Sequence, residues 1–262
     1  MLIPEARSLD LGPVLADYAA HGFARLGPLL DGDSLAALRE RADDLMLGRV
    51  RHEGLFFQHD GATGRYEDLP FGEGWVGPSL AYRKIEKLER DPVYRALLEN
   101  ELFERIAHAV VGPEVTLYRA LLMAKGAQGG TLLPWHQDGG RFWGLDRDPT
   151  LQIWVAIDDA PIEAGCVEVL DASHTGGLAT PLGGMIPAAI VEARGAGRDA
   201  LALPARAGDG LLIHNYLWHR SGVNRTDLPR RAVTFCYLPA STRCLRKRRA
   251  PRQFVRLFDP PR

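Results

Sequence analysis

The sequence predicts a mainly β domain flanked by helices, and three observations carry this prediction. Apolar residues follow helical spacing in about the first 112 residues. Short segments rich in β-branched and aromatic residues, separated by turns, occupy about 113–240, as in a barrel or a sandwich. The chain of 262 residues has the size of one large domain. We therefore expect a single domain over 1–262, with a helical part at about 1–112, a β core at about 113–240 and a basic tail at 241–262.

Composition excludes several classes of protein. The chain is 46% hydrophobic and 25% charged, with 32 Lys and Arg against 33 Asp and Glu, which is typical of a globular protein. A net charge of -1 does not favour nucleic acid or a membrane as partner. No apolar run is long enough to span a membrane, and the N-terminus lacks the layout of a secretory signal. Three cysteines without a CxxC spacing predict no disulfide scaffold or zinc ribbon, and they favour a cytoplasmic location.

Three helices are predicted in the first part. The first contains Val14 and Tyr18 and ends at Gly22. The second covers about 34–46, with Asp33 or Ser34 as the residue that caps its first free amides. The third covers about 92–110 and has Pro92 in its first turn. An irregular loop is expected at about 48–80.

Aromatic side chains in and just after this loop have two interpretations: they line a mobile lid, or they pack the helices onto the β core. They are Tyr66, Phe71, Trp75 and Tyr82. In the second part, strands are predicted at 115–123, 151–157, 166–170, 211–214 and 232–238. An inserted surface loop is expected at 174–200.

The most informative motif is His136-Gln137-Asp138. In an extended strand, residues two apart point to the same side, so His136 and Asp138 can converge on one point. A second imidazole comes from His219 or from His214. His219 is preferred because Ser221 and Arg230 are placed relative to it, whereas His214 lies in an apolar strand typical of a structural histidine.

Two imidazoles and one carboxylate form a facial triad, which leaves three coordination positions open and suits Fe(II). Eleven residues after His219, Arg230 opens an apolar run that looks like a strand leading into the core. An arginine there can hold a carboxylate with two parallel hydrogen bonds. Ser221 lies two residues after His219, so its hydroxyl can bind the same carboxylate if the segment is extended.

Besides the candidate metal ligands, the sequence contains several further motifs. They are WVAIDD at 154–159, EAGCVEVL at 163–170, HRSGVN at 219–224 and RRA at 230–232. In combination they resemble the phytanoyl-CoA dioxygenase family of Fe(II)- and 2-oxoglutarate-dependent oxygenases. The resemblance implies a double-stranded β-helix, or jelly roll, with Fe(II), 2-oxoglutarate and O2 as cofactor and co-substrates.

The resemblance also implies residue roles. His136, Asp138 and His219 would bind iron, and Arg230 and Ser221 would hold the distal carboxylate of 2-oxoglutarate. Other residues similar to pocket positions of the family are Trp154, Lys84, Leu121 and Gln137. Two departures alter the pattern: Ala172 stands in a turn where the family often has glycine, and Arg220 follows the distal histidine where glycine is frequent.

Halogenating relatives lack this carboxylate, so the presence of Asp138 implies hydroxylation of a C–H bond of a small molecule, or another oxidation without halide, rather than halogenation. Arg141, Phe142, Trp143 and Arg220 are the candidate substrate contacts, while Trp218 and His174 are expected to be structural. The sequence indicates neither a particular substrate nor an oligomeric state. Two alternatives are a β-barrel that binds metal or ligand without turnover and, because seven basic residues lie in 243–256, an oxygenase that dealkylates nucleic acid.

Overall fold

Two antiparallel β-sheets enclose the centre of the computed structural model, which describes residues 2–246 and 252–258. The strands, in chain order, are β1 Phe23–Pro28, β2 Phe56–His59, β3 Tyr82–Glu86, β4 Val115–Lys125, β5 Leu133–Gln137, β6 Leu151–Ala156, β7 Val167–Leu170, β8 Gly184–Met185, β9 Ala200–Leu203, β10 Asp209–His214, β11 His219–Ser221, β12 Arg230–Pro239 and β13 Val255–Leu257. The helices are α1 Pro4–Arg7, α2 Leu11–His21, α3 Gly32–Leu47, α4 Pro92–Leu98, α5 Glu101–Val110 and α6 Ala188–Ala193.

The larger sheet has the order β1-β10-β6-β12-β4-β3-β2, and β13 pairs with the start of β4. The smaller sheet has the order β8-β5-β11-β7-β9. Apart from β2, β3 and β4, which are consecutive in the chain, neighbouring strands are not consecutive in sequence, as in a jelly roll. Within the described part of the chain, no helix combines the length and the apolar character that crossing a bilayer requires.

Successive side chains along the strands of the larger sheet point to opposite faces, and the two faces pack against different parts of the protein. On β6, Ile153 and Val155 pack in the apolar core that also contains side chains of α3, α4 and α5, such as Leu38 and Phe103. Trp154 points the other way and packs with residues of the smaller sheet such as Val169. The helices therefore cover the outer face of the larger sheet, and its inner face is left for the space between the sheets.

All five predicted strands are present, with ends shifted by a few residues. The prediction of a helical first part is incomplete, because β1, β2 and β3 belong to the larger sheet. β1 pairs with β10, and β3 pairs with β4. These strands are six residues or shorter, and β1 pairs with a strand far along the chain, so the local pattern does not reveal them.

Two helix predictions require correction. The cap of α3 is Asp31, whose side chain accepts a hydrogen bond from the Ser34 amide, rather than Asp33 or Ser34. The helix predicted over 92–110 is two helices, because Asn100 caps a new helix by accepting bonds from the amides of Leu102 and Phe103.

The expected surface loop at 174–200 contains α6 and the short strand β8. Of the basic tail, positions 247–251 and 259–262 lie outside the described residues. Trp218 is buried in a cluster with Trp135, as predicted for a core side chain.

Candidate metal and co-substrate site

His136 and His219 lie directly opposite each other on neighbouring strands β5 and β11. Their ring centroids are 3.9 Å apart. Nδ1 of His136 bonds to the Pro134 carbonyl at 2.8 Å, and Nδ1 of His219 bonds to the Leu217 carbonyl at 2.9 Å. Because a carbonyl only accepts, each Nδ1 carries a proton, which leaves Nε2 of each ring as the atom that can bind a metal.

Asp138 follows β5 directly and is held from several sides. Its amide donates to the Asn215 carbonyl at 2.8 Å, and the Asn215 side chain donates to its carbonyl at 2.9 Å. Its Oδ1 accepts from Arg119 Nη2 at 3.2 Å, and its Oδ2 accepts from Gln152 Nε2 at 2.8 Å. Oδ2 lies 3.7 Å from Nε2 of His219. The carboxylate is thus fixed beside both imidazoles.

The protonation states of His136 and Asp138 are suited to binding a metal cation. Burial, and then the nearby His219, lowers the pKa of His136 to about 3, so the ring is neutral. Burial by itself raises the pKa of Asp138, but Arg119 and the two histidines hold it below its usual value, so the group is ionised. The ligand atoms of His136, Asp138 and His219 lie within 4.8 Å of one another, and no other such group occurs in residues 2–246 or 252–258. Two imidazoles and one carboxylate are a donor set that fits Fe(II).

A cavity of about 270 Å³ lies between the sheets and has these three residues in its wall. The predicted pocket residues Arg230, Ser221, Trp154, Lys84 and Leu121 also line it. A larger cleft of about 1090 Å³, which includes Arg252 and Phe254, shares only Trp143 with this cavity and contains none of the three ligands. The chemistry therefore belongs to the smaller cavity.

Arg230 opens β12 in the cavity wall, and only 3% of its surface is exposed. Its Nε and Nη2 are buried and have no hydrogen-bond partner, and its guanidinium lies 5.4 Å from the centre of the Trp154 ring. Burial lowers its pKa to about 10, so it keeps its charge at neutral pH. An unpaired guanidinium fork inside a cavity is suited to a carboxylate ligand.

Two sequence predictions do not match this geometry. Gln137 does not line the cavity: its amide nitrogen donates to the carbonyls of Gly177 and Tyr216, and its Oε1 accepts from the Ala179 amide. It points away because it lies between His136 and Asp138 on an extended segment. Arg141 is exposed and is not part of the cavity wall.

Phe142, Trp143 and Arg220, the other candidate substrate contacts, do line the cavity. The Phe142 side chain is 65% exposed, whereas Trp143 is buried. Arg220 donates to Glu168 at 2.7 Å and stacks on Trp135 with 4.8 Å to the ring centre. Its charge therefore has a partner outside the reacting centre.

The aromatic residues in and after the loop do not share one role: Tyr66 lines the cavity, as expected for a lid, whereas Trp75 and Tyr82 pack in or against the apolar core. Tyr82 is fully buried, and its hydroxyl accepts from the Val76 amide and donates to the Gly77 carbonyl. Trp75 donates to the Met46 carbonyl at 3.1 Å. Phe71 is 94% exposed.

His214, the alternative second histidine, lies away from the triad. Its Nδ1 accepts from the Tyr216 amide at 3.0 Å, and its ring is 5.0 Å from that of His174. Both are parts of the packing between α2 and the turn after β7, as their apolar and turn contexts predicted.

Sequence reasoning missed several residues that line the cavity, among them Arg119, Gln152 and Lys125. Strand alternation could have found them. Arg119 and Lys125 lie at even spacings from the predicted pocket residue Leu121 on β4, and Gln152 lies two residues before Trp154 on β6.

The chain is similar to several known proteins. The family model described as phytanoyl-CoA dioxygenase matches residues 18–232. The bovine phytanoyl-CoA dioxygenase domain-containing protein 1 is 26% identical over 159 residues, which cover 58% of this chain and 54% of the relative. The chain spans about half to three fifths of the length of the vertebrate relatives that it matches.

Two solved structures show the same fold. The non-heme α-ketoglutarate-dependent carbocyclase SnoK from nogalamycin biosynthesis has a TM-score of 0.72 at 19% identity, covering 97% of this chain and 98% of SnoK. The epimerase SnoN, solved with Fe3+, α-ketoglutarate and nogalamycin RO, has a TM-score of 0.69 at 20% identity, covering 96% of this chain and 95% of SnoN. The predicted jelly-roll fold is confirmed. Because the family model matches most of the sequence, from the end of α2 to the start of β12, this chain belongs to the phytanoyl-CoA dioxygenase family.

Proposed function

We propose that the protein is an Fe(II)- and 2-oxoglutarate-dependent oxygenase that hydroxylates a C–H bond of a small molecule. The observation that carries this proposal is one cavity whose wall contains both a candidate metal site and an unpaired arginine. Three ligand atoms converge on one point, and the unpaired guanidinium of Arg230 lies in the same wall. A protein that only binds a metal has no need of both.

His136, Asp138 and His219 would hold the iron and leave three coordination positions for 2-oxoglutarate and O2. Bound iron supplies the redox chemistry, in which 2-oxoglutarate and O2 become succinate and CO2 while one oxygen atom enters the substrate C–H bond. The Nδ1 contacts with Pro134 and Leu217 fix the orientation of both rings, which reduces the reorganisation needed when metal binds.

Arg230 would hold the distal carboxylate of 2-oxoglutarate, with the Ser221 hydroxyl beside it. Both are buried in the wall, at 3% and 7% exposure, so the contact excludes water and strengthens each charge-assisted bond. Trp154, Leu121 and Lys84 complete this part of the wall.

The substrate would enter past Phe142, Trp143 and Arg220, with Tyr66 at the same mouth. The role of these residues is to orient one C–H bond toward the metal and to keep water out. Hydroxylation is the proposed outcome because Asp138 occupies the position that a halide would need.

The three cysteines form no disulfide, which supports a cytoplasmic location.

Succinate release tests the proposal. Purified protein with Fe(II), ascorbate and 2-oxoglutarate should form succinate slowly without substrate and faster when a substrate is added. His136→Ala, Asp138→Ala and His219→Ala should abolish this turnover, whereas His21→Ala, at an exposed histidine that pairs with Asp171, should retain it. Unchanged turnover in the three ligand variants would refute the oxygenase. Binding of metal and 2-oxoglutarate without succinate would instead identify a non-catalytic binding protein.

A further inference from the structure

Two basic side chains lie side by side in the cavity wall. Arg230, the first residue of β12, is the register partner of Lys125, the last residue of β4. Directly opposed residues of antiparallel strands have Cβ atoms about 4.5–5.5 Å apart, and like charges in that arrangement are destabilising. Both residues line the cavity and are buried, at 3% and 6% exposure. Solvent therefore screens their repulsion poorly.

No carboxylate forms an ion pair with either residue in the part of the chain that the structure describes. Nζ of Lys125 donates to the Thr131 carbonyl at 2.5 Å, which uses one of its three donors. Nε and Nη2 of Arg230 have no partner. This part of the cavity wall is therefore rich in unused donors and positive charge.

The charged groups around Lys125 are Arg230 on β12, Arg83 on β3 and Asp60 just after β2. Asp60 is engaged elsewhere, because its Oδ1 accepts from the Thr131 amide and hydroxyl and from the Gly61 amide. Arg83 donates to Gln58 at 2.9 Å. Burial, then Arg230 and Arg83, lowers the pKa of Lys125 to about 7.

The loop after β4 holds the lysine in place. Gly130 has a φ of +82°, and a Cβ there would lie 2.7 Å from Cβ of Lys125. The loop backbone thus packs directly on the lysine side chain. Lys125 is a fixed part of the wall rather than a flexible surface lysine.

We propose that Lys125 is a second cationic contact for the distal carboxylate of 2-oxoglutarate, opposite Arg230, and that its Nζ takes up a proton from solvent when the co-substrate binds. This inference rests on the proposed function. A bound carboxylate between the two cations replaces their repulsion with two attractions. The amine becomes an ammonium, and no other bond changes.

The affinity for 2-oxoglutarate should then depend on pH. Where free Lys125 is already protonated, binding takes up no proton. Above that range, binding must draw a proton from solvent, so the affinity falls as pH rises, by up to about tenfold per pH unit. This fall in affinity with rising pH distinguishes a contact with Lys125 from one with Arg230, because Arg230 stays charged throughout.

Calorimetry measures the proton directly. 2-Oxoglutarate is titrated into protein loaded with Ni(II), which binds without turnover, at pH 8 in phosphate and in Tris. The difference between the two enthalpies gives the number of protons taken up. We expect about half a proton or more for the wild type and near zero for Lys125→Arg and Lys125→Met. Lys87→Met, at a lysine outside this cavity, should leave the value unchanged.

The two Lys125 variants separate charge from titration. Lys125→Arg should keep an affinity close to that of the wild type, whereas Lys125→Met should weaken it about ten- to a hundredfold, as expected for loss of a charge-assisted hydrogen bond. Circular dichroism checks that both are folded. Equal proton uptake in the wild type and Lys125→Arg, or an affinity of Lys125→Met within twofold of the wild type, would overturn the inference. If the wild type does not bind 2-oxoglutarate at all, the proposed function fails as well.

Discussion

Arg119 and Asp138 are joined by a hydrogen bond from Nη2 to Oδ1 at 3.2 Å, beside the candidate metal ligands. The Arg119 guanidinium also stacks on Trp143, with 4.3 Å to the ring centre, so its orientation is fixed. Gln152 holds the other carboxylate oxygen. The carboxylate of Asp138 is therefore positioned by two side chains that the metal motif in the sequence does not include.

Replacing Arg119 with Met should weaken metal binding about ten- to a hundredfold. Two effects oppose each other: loss of a positive charge favours a cation, and loss of the fixed carboxylate disfavours it. The second should dominate, because Arg119 makes the largest contribution that lowers the pKa of the buried Asp138. Calorimetry with Ni(II) measures the affinity. Tighter binding by the variant would show that charge repulsion prevails, and Arg119→Lys should fall between the two.

Arg230 and Arg231 are adjacent in the sequence, but replacing each with Met should affect a different property: co-substrate affinity for Arg230 and stability for Arg231. Arg230 has unpaired nitrogens in the cavity, so Arg230→Met should weaken 2-oxoglutarate binding by at least about a hundredfold while leaving the free energy of unfolding unchanged or higher. Calorimetry on the Ni(II) protein and urea unfolding measure the two quantities. An affinity change under twofold would remove Arg230 from the role.

Arg231 points to the other side of β12 and belongs to a buried ionic network. Its Nε and Nη2 donate to Asp158 at 2.7 and 3.2 Å, and its Nη1 donates to Asp43 of α3 at 2.7 Å. Arg231→Met should lower the free energy of unfolding by about 2 kcal/mol, because Asp158 then keeps only Arg39 as a side-chain partner. Urea denaturation provides the value. Stability equal to that of the wild type would contradict this account.

Gln137→Leu should change stability rather than co-substrate binding. The side chain is 1% exposed and satisfies three backbone groups, two carbonyls and one amide, in the segments around 177–179 and 216. Leaving these groups unpaired should cost about 1–3 kcal/mol. Urea unfolding measures the loss, and the affinity of the Ni(II) protein for 2-oxoglutarate should stay within about threefold. A selective loss of affinity at normal stability would restore Gln137 as a co-substrate contact.

His214 should make stability depend on pH. Burial, and then the adjacent His174, lowers the pKa of His214 from 6.5 to about 4. Between these values the unfolded chain binds a proton that the folded protein does not, so the free energy of unfolding rises with pH across this window. The contribution is complete above pH 6.5 and is lost as the pH falls toward 4.

The comparison of His214→Gln with the wild type isolates this effect from the other histidines. The difference in unfolding free energy between the two proteins should change by up to about 3 kcal/mol between pH 4 and pH 7. Urea unfolding at several pH values gives both curves. Parallel curves would exclude His214 as the titrating group.

The candidate ligands could be identified from the sequence because their pattern depends on local geometry. His136 and Asp138 are two residues apart, so any extended backbone places them on one side. The five predicted strands are also recognisable, since each is a short, mostly apolar segment between turn residues. The second histidine came from its spacing to Ser221 and Arg230.

Only the tertiary structure decided which of the two faces of each strand lines the cavity. Gln137 lies within the motif yet points away, whereas Arg119, Gln152 and Lys125 lie outside every motif yet line the wall. β1 and β3 are short strands whose local pattern is weak, and they are strands because they pair with β10 and β4. The physical reason is common to all of these: periodicity fixes which residues share a face, but long-range pairing of strands fixes where that face points and what lies opposite it.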